Sequence, residues 1–329
     1  MTNGKWKMFM RALRFDGNLK FVNDALAPRR DGEALVQVIC AGICNTDLEI
    51  VMGYANFHGT LGHEFVGRVV ESSDGSLIGK RVVGEINAGC GICDECARGD
   101  SRHCVARTVL GIKGRDGAFA EFLSLPNRNL ISLPDSISDE TGIFVEPFAA
   151  ALNILEQVSV ESADQVAVIG DGKLAQLVVL ALSRTGCSLS VFGKHAAKLQ
   201  ISKEFGANSV ALESTAVPQM GNHFDIVIEA SGSPAGLTTA LGIVKPRGVV
   251  VLKSTHHGVT SLEMSQVVVN ELTIVGSRCG RFHNAIAVLP SCENQLSRLI
   301  SHRFSLDDGL HAFEAAAERG AMKVILQID

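Results

Sequence analysis

Between Gln165 and Leu182 an apolar strand, QVAVIG, runs into Gly170-Asp171-Gly172-Lys173-Leu174-Ala175 and out into an apolar helix. No other stretch narrows the fold as much. G-x-G-x-x-A at a strand-to-helix turn suits a dinucleotide: the first glycine permits the tight turn and the second lets a pyrophosphate approach the backbone. The small third residue packs helix on strand, and the helix N-terminus faces the anion. Downstream the pattern alternates. Strand-like Leu189–Phe192, helical Ala196–Phe205, strand-like FDIVIEAS, helical Ala235–Ile243 and strand-like Gly248–Ser254 follow one another. Such alternation predicts a parallel sheet with crossover helices.

About twenty residues beyond the first glycine, a site for NAD usually carries an acid that holds the ribose 2′-hydroxyl. Here the strand ends Val191-Phe192-Gly193-Lys194-His195. Gly193 leaves room for a 2′-phosphate, and Lys194, helped by His195 and Lys198, can pair with it. The expectation is NADP(H) in preference to NAD(H).

The first third reads differently. Leu35–Ile43, Glu64–Ser72 and Arg81–Ile86 are strand-like and punctuated by glycines, and the pattern changes near Glu140. Helical character returns at Ala149–Val158. Past about His283, a helix near Gly309–Glu318 and the strand-like KVILQI close the chain. At 329 residues two domains are expected. The 46% hydrophobic and 20% charged composition fits a folded enzyme, and a net charge of −5 gives no basic field for nucleic acid. MTNGKWKMFMRALRFDG carries charge throughout without an apolar core, and the run Gln165–Leu182 is interrupted by Asp171 and Lys173. Neither a signal peptide nor a membrane span is expected, and a cytoplasmic location follows. Cytosolic thiols stay reduced, which argues against disulfides.

Four of nine cysteines fall in CGICDECARGDSRHC. Cys90, Cys93 and Cys96 stand three apart and Cys104 follows eight later, a spacing that lets four thiolates converge on one tetrahedral zinc. Gly89, Gly91 and Gly99 relieve the crowded backbone. Four cysteines close the shell, so this zinc is structural, and such a site can contribute about 10 kcal/mol. A redox C-x-x-C pair or unrelated thiols are the alternatives. Upstream, Cys44-Asn45-Thr46-Asp47 and Gly62-His63-Glu64 supply one thiol, one imidazole and carboxylates, the ligand types of a zinc site with an open position.

With Cys44-x-Thr46-Asp47, Gly62-His63-Glu64, the cysteine loop, Val145-Glu146-Pro147 and the glycine turn, the chain resembles the zinc-containing medium-chain alcohol/polyol dehydrogenase family over nearly its whole length. The E-P context of Glu146 is similar to the sorbitol, threonine and glucose dehydrogenase branch; classical alcohol dehydrogenases have cysteine there. The resemblance implies an α/β protein: a GroES-like, β-rich catalytic domain (1–150) with a structural-zinc lobe (88–105), a Rossmann domain with a doubly wound parallel sheet (151–282), and a C-terminal return to the first domain (283–329). It implies two zinc ions per subunit. Cys44, His63 and Glu146 hold the catalytic ion, with Glu64 exchanging with water or Glu146 as a ligand, and Asp47 orients His63. Thr46 passes the alcohol proton to the cofactor ribose, and Glu49 stands where many relatives continue the relay with histidine. The Thr-Asp-x-Glu run points toward a polyol or aldose substrate, and the family toward a homodimer or homotetramer with ELTIVGS (Glu271–Ser277) at a subunit edge.

The expected activity is zinc-dependent hydride transfer between an alcohol and a nicotinamide cofactor. Its rivals are a zinc-free quinone or enoyl reductase, which typically lacks both ligand sets, and an NADP(H)-binding sensor or structural protein on an inherited fold. Tyr54, Phe57 and His58 stand between the two ligand segments as pocket or surface loop. Ser254-Thr255-His256-His257 follows a strand where loops reach toward cofactor, or is plain polar loop. Cys40, Cys187, Cys279 and Cys292 match no ligand pattern.

Overall fold

The structure, a computed structural model, describes residues 9–25, 32–212, 214, 221–255 and 259–328. It divides into two compact units, Met1–Glu146 with Ala285–Asp329, and Pro147–Asn284.

The first unit is built from β-strands. A hairpin of β1 (Phe9–Phe15) and β2 (Leu19–Ala25) pairs through β1 with β4 (Gly59–Thr60). Its sheet runs in the order β10 (Leu130–Ser132), β6 (Arg81–Gly84), β5 (Glu64–Glu71), β3 (Glu33–Ile43), β18 (Lys323–Gln327) and β17 (Ile300–Ser305), and β9 (Phe122–Pro126) also pairs with β3. The last strand of the chain thus lies beside the long third one, antiparallel, with Val324 opposite Ile43 and Ile325 opposite Gly42. Phe119 and Phe313 pack edge to face at 5.8 Å, and Leu13, Leu61, Leu110 and Leu125 fill the interior around the strands. A small ribbon of β7 (Asn87–Ala88) and β8 (Thr108–Val109) frames the cysteine loop.

The second unit holds one six-stranded sheet, all parallel: β13 (Ser209–Leu212), β12 (Ser188–Gly193), β11 (Gln165–Ile169), β14 (Phe224–Glu229), β15 (Val244–Leu252) and β16 (Thr273–Gly276). In chain order within the sheet this is 3-2-1-4-5-6, the doubly wound arrangement. Its central strands are short and apolar because parallel strands are covered on both faces. Ala167, Ile169, Phe192, Phe224, Val227 and Val250 form the core, and Phe192 meets Phe224 edge to face at 5.7 Å.

Some elements depart from the sequence reading. The hairpin of β1 and β2 precedes the first strand read from the sequence, although its Asp16-Gly17 turn, with Gly17 at φ +100°, is a hairpin signal. β15 begins at Val244, before Pro246, rather than at Gly248. Its register with β14 shifts between Phe224 and Ile226, where β15 advances from Val244 to Val249, and Arg247 takes a positive φ there, so the strand is interrupted by an irregular turn. The helix expected from Ala149 starts at Val145.

Candidate active site

Cys44 ends the stretch of chain leaving β3 and precedes helix α1 (Asn45–Val51). Asp47 in the first turn of that helix is fully buried. It accepts the Cys44 backbone N–H at 2.8 Å and the Gly62 N–H at 3.2 Å. Its Oδ1 also lies 3.3 Å from His63 Nδ1. One carboxylate therefore ties both ligand segments together through their backbones and sets a negative charge beside the imidazole. Gly62 is needed for this geometry: it sits at φ +96°, and a Cβ there would lie 2.5 Å from the Phe119 ring. Burial alone would lower the His63 pKa, but Asp47 and then Cys44 beside it raise it well above the ordinary value.

The ligand atoms of Cys44, His63 and Glu64 all lie within 4.8 Å of one another. Thr46 Oγ1 is 3.7 Å from Cys44 Sγ, beside the same cluster. Glu49 is half-buried on α1. Glu146 is not part of the trio. It lies half-buried in the first turn of helix α4 (Val145–Gln157; α2 is Asp94–Ala97 and α3 Asp139–Gly142), and its charge reaches Lys323.

Lys323 was not singled out in the sequence, yet its Nζ is ion-paired with Glu64 Oε2, both side chains at most 3% exposed. Burial pulls the ammonium down, and the negative charges of Glu64, Cys44 and Glu146 outweigh it, so its pKa ends above the ordinary lysine value. The pairing has a backbone cause. Glu64 on β5 stands opposite Gly42 on β3, and Gly42 stands opposite Ile325, two residues past Lys323 on β18. All three point to one face of the sheet. A Cβ on Gly42 would come within 2.5 Å of Glu64 Oε2 and 3.2 Å of Lys323 Cδ, so the missing side chain lets the pair reach across the middle strand. The other oxygen, Glu64 Oε1, is buried without a hydrogen-bond partner. An orphaned carboxylate oxygen facing a thiol and an imidazole fits a divalent cation. A lone lysine heading an otherwise apolar strand marks the position as unusual, but nothing in the sequence names its partner.

The four loop cysteines are also brought within 4.8 Å of one another. Cys93 caps α2, which carries Cys96, and a 3₁₀ turn over Ser101–His103 delivers Cys104. A Cβ on Gly89 would stand 2.6 Å from Cys96 Sγ, so glycine is required where the loop folds over the sulfurs. The Cys90 N–H donates to Cys104 Sγ at 3.3 Å. The backbone N–H groups of Ile92 and Cys93 pull the Cys90 thiol down to about 6. The Cys96 N–H also favours a Cys93 thiolate, but burial and the neighbouring sulfurs of Cys96, Cys90 and Cys104 outweigh it and push that thiol up to about 11. Four sulfurs this close fit a closed zinc shell.

In the second unit Gly170 sits at φ +121°, where a Cβ would strike the Ala230 carbonyl at 2.5 Å. Gly172 caps helix α5 (Lys173–Leu182) and has nothing within 4 Å of its would-be Cβ, so the approach to the helix N-terminus is open. Lys173 and Leu174 lie half-buried in the first turn, and Ala175 is buried. Gly193 ends β12 and is buried. Lys194 and His195 are exposed and Lys198 is half-buried at the start of helix α6 (Ala196–Glu204). The gap at Gly193 is filled. Asp171, the residue between the two glycines, lies against it and accepts the backbone N–H groups of Lys194 and His195, both at 2.7 Å.

Of the remaining candidates, Tyr54 is half-buried, Phe57 buried and His58 exposed. Cys40, Cys187 and Cys292 are buried and Cys279 half-buried. His256 and His257 lie outside the described residues. Among the described residues, no helix is long and apolar enough to cross a membrane.

The alcohol dehydrogenase GroES-like domain matches residues 30–135, and the glucose dehydrogenase C-terminal domain matches residues 139–328. The chain belongs to the medium-chain zinc alcohol/polyol dehydrogenase family. Within it, an L-threonine 3-dehydrogenase of Burkholderia cenocepacia (strain HI2424) is 31% identical over 316 residues, covering 89% of this chain and 91% of that one. A solved alcohol dehydrogenase from Thermus sp. ATN1 is 29% identical with a TM-score of 0.89, covering 97% of this chain and all of that one. A zinc-binding dehydrogenase of Sinorhizobium meliloti 1021, solved bound to NADP, is 27% identical with a TM-score of 0.87, covering 97% and 99%. The fold class read from the sequence, a GroES-like domain with a Rossmann domain, is that of this family.

Proposed function

We propose that the chain is a zinc-dependent dehydrogenase moving hydride between a nicotinamide cofactor and a secondary alcohol of a small polar substrate, a polyol, an aldose or a hydroxy amino acid. The observation that carries this reading is the meeting of Cys44, His63 and Glu64 within 4.8 Å, with a carboxylate oxygen left without a partner. Neither a zinc-free reductase nor a nucleotide sensor needs that group.

In this reading Cys44 and His63 hold the catalytic ion, with Glu146 and Glu64 as the carboxylates that complete or vacate its shell. Cys90, Cys93, Cys96 and Cys104 hold the structural one. When bound, zinc polarises an alcohol oxygen and so lowers the cost of removing its proton. Asp47 fixes the His63 ring and the Cys44 backbone, so the ligands are set before a metal arrives. Lys323 balances the excess negative charge of Cys44, Glu64 and Glu146 around a divalent ion, which keeps the site able to favour a developing alkoxide. Thr46, beside the Cys44 sulfur, would accept the alcohol proton while handing its own to the cofactor ribose, and Glu49 would continue the relay from there. The glycine turn, with Lys173 and Leu174, holds the pyrophosphate of the dinucleotide. Lys194, His195 and Lys198 support NADP(H), and Asp171 opposes it.

Association into homodimers or homotetramers is supported by β16 at the edge of its sheet and by the exposed Met264, Val268 and Val269 on the preceding helix. We place the protein in the cytoplasm. The test is initial rates of NAD⁺ and NADP⁺ reduction by zinc-loaded protein across simple alcohols, polyols, aldoses and L-threonine. Turnover of one substrate class is expected; equal turnover after stripping the metal would contradict the reading.

A further inference from the structure

We infer that Asp171 is the residue that discriminates between the two nicotinamide dinucleotides, and that it selects NAD(H). The inference rests on the nucleotide-binding reading of the second unit. In a doubly wound sheet the end of the second strand is where an acid reads the ribose 2′-hydroxyl. The end of β12 has no acid in its own sequence, but it has one in space. Asp171 comes from the glycine turn after β11, the neighbouring strand, and is only 7% exposed. Its carboxylate lies 2.6 Å from where a Cβ on Gly193 would be, so the glycine that seemed to clear room for a phosphate instead admits a carboxylate.

The same carboxylate uses the donors a 2′-phosphate would need. Its Oδ2 accepts the backbone N–H groups of Lys194 and His195 at 2.7 Å each, and the His195 ring Nδ1 lies 3.1 Å from it. These two amides converge at this strand end, with the imidazole beside them. A dianionic phosphate brought beside Asp171 would meet a fixed negative charge and donors already engaged. A ribose 2′-hydroxyl is a donor itself, and Oδ1, which among the described residues meets only His195 Nδ1, at 3.2 Å, keeps room to accept it. Lys194 and Lys198 remain as cations, but side-chain cations at a helix start are weaker discriminators than a buried carboxylate held by two backbone donors.

The experiment is direct titration of NAD⁺ and NADP⁺ by calorimetry into the wild-type chain, Asp171→Asn and Asp171→Ser, with unfolding curves to establish that each is folded. Wild type is expected to bind NAD⁺ about tenfold or more tighter than NADP⁺. Asp171→Asn, and Asp171→Ser with its small acceptor, should shrink that ratio by about tenfold, mainly by strengthening NADP⁺. Wild-type preference for NADP⁺, or a ratio unchanged in a folded variant, overturns the inference while leaving the nucleotide site intact. Failure of wild type to bind either dinucleotide overturns the nucleotide reading, and the inference with it.

Discussion

The two clusters of metal-type ligands in the first unit are built in opposite ways. The cysteine lobe takes all four donors from fifteen consecutive residues and holds them with turns, short helical pieces and backbone N–H groups. The Cys44 cluster takes its donors from the ends of two strands and a buried cation from a third, 259 positions away from its partner Glu64. One is a local loop that a metal would order. The other is pre-ordered by a sheet, an aspartate and a glycine, and needs the end of the chain to be complete. A local site should matter for stability, and an assembled one for chemistry.

Substitution of one ligand in each cluster sharpens that contrast most. Cys44→Ser should lower turnover at least about a thousandfold, because several kcal/mol of charge stabilisation are lost at about 1.4 kcal/mol per factor of ten. Its denaturant unfolding curve should match wild type. Cys104→Ser should do the reverse in kind, costing more than about 4 kcal/mol of stability and exposing the lobe to limited proteolysis. If both variants lose activity and stability together, the division of roles is wrong.

A smaller effect probes the buried ion pair of the Cys44 cluster. Lys323→Met leaves Glu64 buried beside other acids and should cost about 3–5 kcal/mol in metal-stripped protein. Adding zinc should recover part of that loss, since a divalent ion replaces the missing positive charge. An equal cost with and without zinc would place Lys323 outside the metal's field. The smallest effect belongs to the contrasting surface pair, Glu140 with Arg303, whose side chains are 35% and 45% exposed. Glu140→Gln should cost under about 1 kcal/mol. The hydrogen bond from Arg303 holds the Glu140 pKa below the usual carboxylate range, against a smaller effect of burial. Its contribution is therefore present above the unfolded-state pKa and fades as pH falls through the lower folded value. Acid titration of wild type against Glu140→Gln should show the two stabilities converging at low pH. A difference that persists there would mean the pair acts through packing rather than charge.

Legibility in the sequence followed the same division. The cysteine spacing and the glycine turn are local, and each could be read from a few neighbouring letters. The alternation of strand and helix after Gln165 points to a parallel sheet with crossover helices because a parallel sheet writes apolar runs into every strand; the doubly wound order came only with the family resemblance. Lys323 and Gly42 could not be read this way. Their roles exist only because β18 lies beside β3, a pairing across most of the chain that no local pattern encodes. Asp171 shows a subtler limit. It sits inside the motif that was recognised, but its carboxylate acts on the next strand, so the absence of an acid at β12 in the sequence did not mean its absence in space.

The proposal that the two clusters are separate metal centres, one assembled by the sheet and one by the loop, is tested most directly by metal counting. Native mass spectrometry on wild type, Cys44→Ser and Cys104→Ser, all purified with zinc, should find two zinc ions per chain in wild type and one in each variant. Two ions retained in Cys44→Ser, or fewer than two in wild type, would contradict it.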